Sequence, residues 1–154
     1  MVNFAAPSAD PDGIFNWLRI DDRLTTSGQP SEAELALLGR LGIRQVINLG
    51  LHSHPKALPD EAATLAALGM TYLHRPVDFQ TPTLEDFRWF SSVMATLRDG
   101  PLHVHCIMNY RVSAFVYRYR RDVLGLPETA IRPDLERIWQ PDEVWTAFIA
   151  DRRQ

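Results

Sequence analysis

A second cysteine is missing: Cys106 is the only one in 154 residues. The chain cannot close an internal disulfide, which excludes the disulfide scaffolds of small secreted proteins. Long apolar runs are missing too, since nowhere do about 18 consecutive apolar residues occur, the length a membrane-spanning helix needs. The first dozen residues lack the basic and then apolar pattern of a secretion signal. An excess of positive charge is also absent. With a formal net charge of −3 and an isoelectric point of about 5.9, the sequence offers no broad basic surface to a nucleic-acid backbone. No internal repeat or low-complexity tract interrupts it. These absences predict a cytoplasmic protein that engages neither nucleic acid nor membrane, in which any anion site is local.

What is present is enough apolar material for one core. At 45% hydrophobic residues a chain of this length builds one domain of ordinary size and not two, so residues 1–154 are expected to form a single domain. Pro7, Pro11 and Gly13 mark an irregular arm over residues 1–12. Short β-like runs at Trp17–Ile20 and Leu24–Ser27 predict a hairpin. Ser31 and Glu34 stand at capping-box spacing ahead of Leu35, Leu37, Leu38 and Leu41, with Gly42 as the stop. From there strands and helices alternate: strand Arg44–Leu49, helix Pro59–Leu68, strand Thr71–Val77, helix Thr83–Leu97, strand Leu102–His105 and helix Val112–Leu124. Two closing helices, Pro127–Trp139 and Pro141–Arg152, follow, with Pro133 breaking or restarting the first. The alternation predicts an α/β fold with a central, mainly parallel sheet flanked by helices, and such sheets bind ligands beyond the C-terminal ends of their strands. Two loops at those ends carry chemistry: the one after Thr71–Val77 holds Asp78, and the one after Leu102–His105 holds Cys106 and Arg111.

A cysteine between a strand end and a helix N-terminus meets aligned backbone N–H groups and the positive end of the helix dipole, which favour a thiolate. The same amides, those of Ile107, Met108, Asn109 and Tyr110, form a cradle for phosphate or another oxyanion, and Arg111 adds a planar donor fork. A cysteine buried merely as a small hydrophobe is the competing reading; strand, His-Cys, short loop, arginine and helix in succession favour the reactive thiol. His103 and His105 share one strand face and His52 and His54 repeat their spacing, but His105 and Cys106 point to opposite faces and no spacing matches a zinc motif. No metal or cofactor is expected, and the histidines are read as bracing the loop. Arg118, Arg120 and Arg121 read as a solvated helix face.

The run His103-Val104-His105-Cys106-Ile107-Met108-Asn109-Tyr110-Arg111-Val112-Ser113 resembles the His-Cys…Arg signature loop of protein tyrosine and dual-specificity phosphatases. Leu24-Thr25-Thr26-Ser27-Gly28-Gln29-Pro30 and Arg44-Gln45-Val46-Ile47-Asn48-Leu49 are similar to the opening of a bacterial family of phosphatase-like domains, some of them fused to β-lactamase-like hydrolases. The likeness runs from residue 17 to residue 125. It implies a cysteine phosphatase-like (phosphotyrosine phosphatase II) fold and a phosphorylated substrate, protein or small molecule, hydrolysed through a cysteinyl-phosphate on Cys106. Arg111 and the loop amides would hold the phosphoryl oxygens, Asp78 would be the general acid, and Ser113 and His105 would support the sulfur and the loop. The sequence departs from that signature in one respect, since it has only four residues between Cys106 and Arg111, one fewer than the superfamily. It also has no glycine there, although a cradle of inward amides needs a residue at positive φ, a place Asn109 can take. A shorter, bulkier loop predicts weak turnover and keeps two alternatives open: a rhodanese-like sulfurtransferase, and a module that binds phosphate without turning it over.

Overall fold

The structure, a computed structural model, describes residues 10–154; of the irregular arm expected over residues 1–12, residues 1–9 lie outside the described residues. Strands β1 (Leu18–Arg19), β2 (Leu24–Ser27), β3 (Gln45–Asn48), β4 (Thr71–His74) and β5 (Leu102–His105) form one sheet in the order β1-β2-β5-β3-β4. β1 pairs antiparallel with β2, as the hairpin reading requires, and every other pairing is parallel. The latest strand in sequence, β5, therefore lies at the centre. The loop that follows it emerges with chain on both sides.

Helix α1 (Glu32–Arg40) starts on a complete capping box between Ser31 and Glu34, and α3 (Leu84–Thr96) starts on another between Thr83 and Asp86. Each box satisfies two N–H groups that a helix start leaves open. α2 (Glu61–Ala67) is capped by Asp60. Gly42, Gly69 and Gly125, the residues that end three of the runs, all take positive φ. The β4 strand ends sooner than expected, at His74, because Pro76 offers no N–H, while the amides of Arg75 and Val77 bond the carbonyls of Asn48 and Leu49. α5 (Glu128–Ile138) runs through Pro133 instead of breaking there. The bond that proline forfeits is to the carbonyl of Thr129, an exposed residue, so the loss falls on the solvent side of the helix.

The alternation of side chains along β5 sorts the two faces of the sheet. Leu102 and Val104 join Phe87, Phe90 and Met94 of α3, Phe115 of α4 (Tyr110–Asp122), and Trp145 and Phe148 of α6 (Glu143–Ala150) in the larger core. On the opposite face Leu35 and Leu38 of α1, Val46 of β3 and Leu65 of α2 form the smaller one. His103 and His105 point to that second face. α4 begins at Tyr110, two residues before its expected start, so Arg111 belongs to the first helical turn and not to the loop. The arginine face of α4 is not solvated. Arg118 is 1% exposed, its guanidinium lying 4.2 Å from the ring of Phe87 and 4.7 Å from that of Phe148. It donates to the carbonyls of Phe148 and Arg153, and Arg121 is likewise buried against Asp122 and the Ile149 carbonyl. Neighbours on both sides of α4 turn what reads as a polar stripe into an internal clamp on the C-terminal segment. Among the described residues no helix is long and apolar enough to cross a membrane.

Candidate active site

Cys106 is the first residue of the connection from β5 to α4 and is fully buried in the larger core. The loop above it, Ile107-Met108-Asn109, is shaped by what its carbonyls bond. The Cys106 carbonyl lies 3.0 Å from His105 Nδ1. The Ile107 carbonyl accepts from the backbone N–H of Gln29 at 3.0 Å, and the Met108 carbonyl accepts from the side-chain amide of Asn16 at 2.8 Å. In a trans peptide the carbonyl and the following N–H point in opposite directions. Three carbonyls pinned outward therefore turn the amides of Ile107, Met108 and Asn109 inward. The Tyr110, Arg111 and Val112 amides open the helix and have no carbonyl four residues back within it. Among the described residues, none of the six N–H groups from Ile107 to Val112 donates to a protein acceptor. Converging, unsatisfied donors of this kind form an anion site.

Asn109 occupies the position where a glycine would be expected. It is fully buried with φ 69°, the left-handed conformation, which asparagine tolerates better than most other side chains. Its Nδ2 donates to the backbone carbonyl of Asn16 and to Thr26 Oγ1, and its Oδ1 has no partner among the described residues. The glycine that matters lies outside the loop. A Cβ on Gly28 would stand 2.6 Å from the Ile107 carbonyl oxygen and 2.8 Å from a ring carbon of Phe15, so only glycine lets the β2 end approach closely enough for Gln29 to pin the loop.

Arg111 is 7% exposed. One of its N–H groups donates to the Val77 carbonyl at 2.9 Å, and its guanidinium lies 5.6 Å from the ring centroid of Phe79. Among the described residues no carboxylate pairs with it, so the rest of its fork is open. Asp78 lies between these two contacts, in the loop after β4. It is exposed, and its Oδ1 accepts the Gln80 amide while its carbonyl accepts that of Thr81. The aspartate thus caps its own turn, and Arg111, from the first turn of α4, holds the residue before it. Ser113 is turned elsewhere: its Oγ donates to the Tyr110 carbonyl and accepts from Trp139 Nε1, and it makes no hydrogen bond to the sulfur. Tyr110 stacks flat on Trp139, ring centroids 4.3 Å apart.

On the second face of the sheet, the histidines that the sequence singles out meet polar partners that it does not, namely Glu61, Thr25 and Ser27. His105 Nε2 is 2.6 Å from Glu61 Oε2, both side chains almost fully buried. With a carboxylate at one ring nitrogen and a carbonyl at the other, both nitrogens face acceptors. Burial pushes the Glu61 carboxyl up, but the hydrogen bond and charge of His105, with a further bond from Gln29, outweigh it and hold the group below its ordinary range. His103 lies between Thr25 and Ser27, 2.8 Å from each. Ser27 spends its proton on the Gly28 carbonyl; it therefore accepts from His103 Nε2–H, leaving Nδ1 to accept from Thr25. Burial, followed by the charge of His105, depresses His103 well below the usual histidine value, so it stays neutral. His52 stacks on His74 with centroids 3.7 Å apart, and no group of three or more His, Cys, Asp or Glu among the described residues is arranged to hold a metal ion.

A five-stranded sheet whose central strand leads into a cysteine, a short loop and an arginine at a helix start is a cysteine phosphatase-like fold. No family model matches the sequence. The DUF442 phosphatase-like protein of Shewanella putrefaciens CN-32 superposes with a TM-score of 0.82 at 32% identity, covering 90% of this chain and 91% of that one. The chain belongs to that family of phosphatase-like proteins. A beta-lactamase hydrolase-like protein of Agrobacterium fabrum is 35% identical over 92 residues, 58% of this chain and 21% of that protein. The chain thus spans about a fifth of the length of that curated relative. P. aeruginosa TpbA, in a cysteine-to-serine form in complex with pTyr, superposes with a TM-score of 0.63 over 86% of this chain and 80% of its own, at 24% identity, a likeness of fold.

Proposed function

We propose that this chain is a cysteine-dependent phosphomonoester hydrolase acting through a cysteinyl-phosphate. The observation that carries the reading is the set of six amides from Ile107 to Val112, directly after Cys106, that are unsatisfied among the described residues, together with an arginine that pairs with no described carboxylate. An anion with three equatorial oxygens matches that donor set. The TpbA complex with pTyr supports a phosphorylated ligand in this fold.

In the proposed reaction the Cys106 thiolate attacks phosphorus in line, forming an S–P bond as the P–O bond to the leaving group breaks. The loop amides and the free N–H groups of Arg111 stabilise the negative charge on the transferring phosphoryl. Asp78, protonated, gives its proton to the departing oxygen; as carboxylate it then takes one from the water that attacks phosphorus. The S–P bond breaks, inorganic phosphate leaves and the thiolate is restored. Asp78 has one carboxylate oxygen outside its turn, and the Arg111–Val77 hydrogen bond links its loop to the anion-holding arginine.

The test is hydrolysis of a chromogenic aryl phosphate with and without vanadate, comparing the wild type with Cys106→Ser and Asp78→Asn. Expected are turnover that vanadate blocks, its abolition in Cys106→Ser, and a loss of roughly 10²-fold or more in Asp78→Asn. Activity retained by Cys106→Ser sinks the reading, and vanadate binding without turnover makes the chain a phosphate-binding module.

A further inference from the structure

We propose that Asn16 is a positioning residue of the anion cradle, latching the N-terminal segment onto the loop above Cys106; the proposal rests on the phosphatase reading of that site. Asn16 is one of only two non-glycine residues at positive φ among the described residues, and the other is Asn109. The two are bound reciprocally. The side-chain amide of Asn16 donates to the Met108 carbonyl at 2.8 Å, and the Asn16 carbonyl accepts from the side-chain amide of Asn109 at 2.9 Å.

A left-handed non-glycine residue is strained and persists only where its surroundings hold it. Here the surroundings do. Ile14 is buried in the smaller core, the Phe15 carbonyl accepts the Gly28 amide at 2.8 Å, and Trp17 stacks on His103 with centroids 5.2 Å apart. Residues anchored on both sides of Asn16 leave it one conformation, in which its amide meets the loop.

The consequence falls on one peptide plane. Met108 C=O has no donor other than Asn16 among the described residues, so Asn16 alone sets the direction of the Asn109 N–H. Without the bond, the Met108–Asn109 plane is free to rotate, and the amide leaves the set that faces the anion. The remaining hold on the Asn109 side chain would then be Thr26 Oγ1 and a carbonyl on a loosened segment.

Three variants separate the latch from backbone strain. Asn16→Gly accepts positive φ and deletes the amide; Asn16→Ala deletes it and adds strain; Asn16→Asp tolerates the conformation but sets a carboxylate oxygen against the Met108 carbonyl. Vanadate affinity by titration calorimetry, kcat and KM for an aryl phosphate, thermal midpoint, and hydrogen exchange of the Asn109 amide are measured for each. The latch predicts that Asn16→Gly weakens vanadate binding and kcat/KM by about tenfold, the value of one hydrogen bond. It also predicts that Asn16→Asp weakens them further and that the Asn109 amide exchanges faster in both. Glycine and alanine variants that lose thermal stability while vanadate affinity stays at the wild-type value would overturn the latch and leave the phosphatase reading standing. Wild-type protein that neither binds vanadate nor hydrolyses the ester would overturn both.

Discussion

Gly28→Ala adds one methyl group, and the structure says where it lands: 2.6 Å from the Ile107 carbonyl oxygen and 2.8 Å from a ring carbon of Phe15. Contacts under 3.0 Å are not sustained, and the nearer atom is backbone, so the β2 end and the cysteine loop must separate. Separation breaks the Gln29 N–H bond to that same carbonyl, now 3.0 Å long. Overpacking costs about 1–3 kcal/mol and the lost hydrogen bond about 1 kcal/mol. A total of about 2–4 kcal/mol lowers the thermal midpoint by roughly 4–16 °C for a chain of this size. The functional effect is separate. With the Ile107 carbonyl unpinned, the Met108 amide leaves the cradle, and vanadate affinity is expected to fall by about tenfold. Gly69→Ala is the control: its φ of 71° makes alanine strained, yet a Cβ there meets nothing within 4 Å. That variant should cost about 1 kcal/mol with vanadate affinity unchanged. If Gly28→Ala and Gly69→Ala lose stability alike and both keep wild-type affinity, then outward pinning of the loop carbonyls does not build the anion site.

Replacing Arg111 by lysine removes the planar fork that serves both Val77 and an anion; kcat/KM on an aryl phosphate should drop by about 10²–10³-fold. Ser113→Ala leaves Trp139 Nε1–H without its acceptor, so a loss of about 1–2 kcal/mol in denaturant unfolding is expected, with kcat within about twofold of wild type. His103 is held neutral below its ordinary value, so the unfolded chain binds the extra proton and stability falls as the pH drops below roughly 6.5. His103→Gln should flatten that part of the midpoint-versus-pH curve. The lowered Glu61 carboxyl contributes stability present above roughly pH 4.3 and lost as the pH falls below it; Glu61→Gln should remove that more acidic limb.

Much of the fold is legible along the chain because its signals are local. Ser31 with Glu34 and Thr83 with Asp86 cap helices three residues away, and Gly42, Gly69 and Gly125 stop helices by a conformation that needs no distant partner. The strand–loop–helix around Cys106 is local in the same sense. What supports the loop is not. Glu61 meets His105 across 44 residues, and Asn16 meets Met108 across 92. In the sequence Glu61 reads as an acidic residue in a helix first turn, and Asn16 falls between the arm of residues 1–12 and the first β-like run, where nothing singles it out. Arg118 misleads for a related reason: a charge stripe predicts solvent only if one side of the helix is free, and α4 is packed by α3, α5 and α6.

The same division accounts for how a loop without glycine, one residue shorter than the superfamily's, still presents its amides. Backbone freedom within the loop is one way to point successive N–H groups inward. The other is to hold each carbonyl outward from outside, which moves the requirement to the donors. Here it falls on the His105 ring, the Gln29 amide and the Asn16 side chain, and on Gly28, which lets Gln29 approach. The bulk of Ile107, Met108 and Tyr110 is then no obstacle to an anion site, since what the cradle needs is peptide planes held in orientation. A chain with the same four loop residues but an alanine at 28 or 16 would carry the motif and is expected to hold an anion about tenfold more weakly.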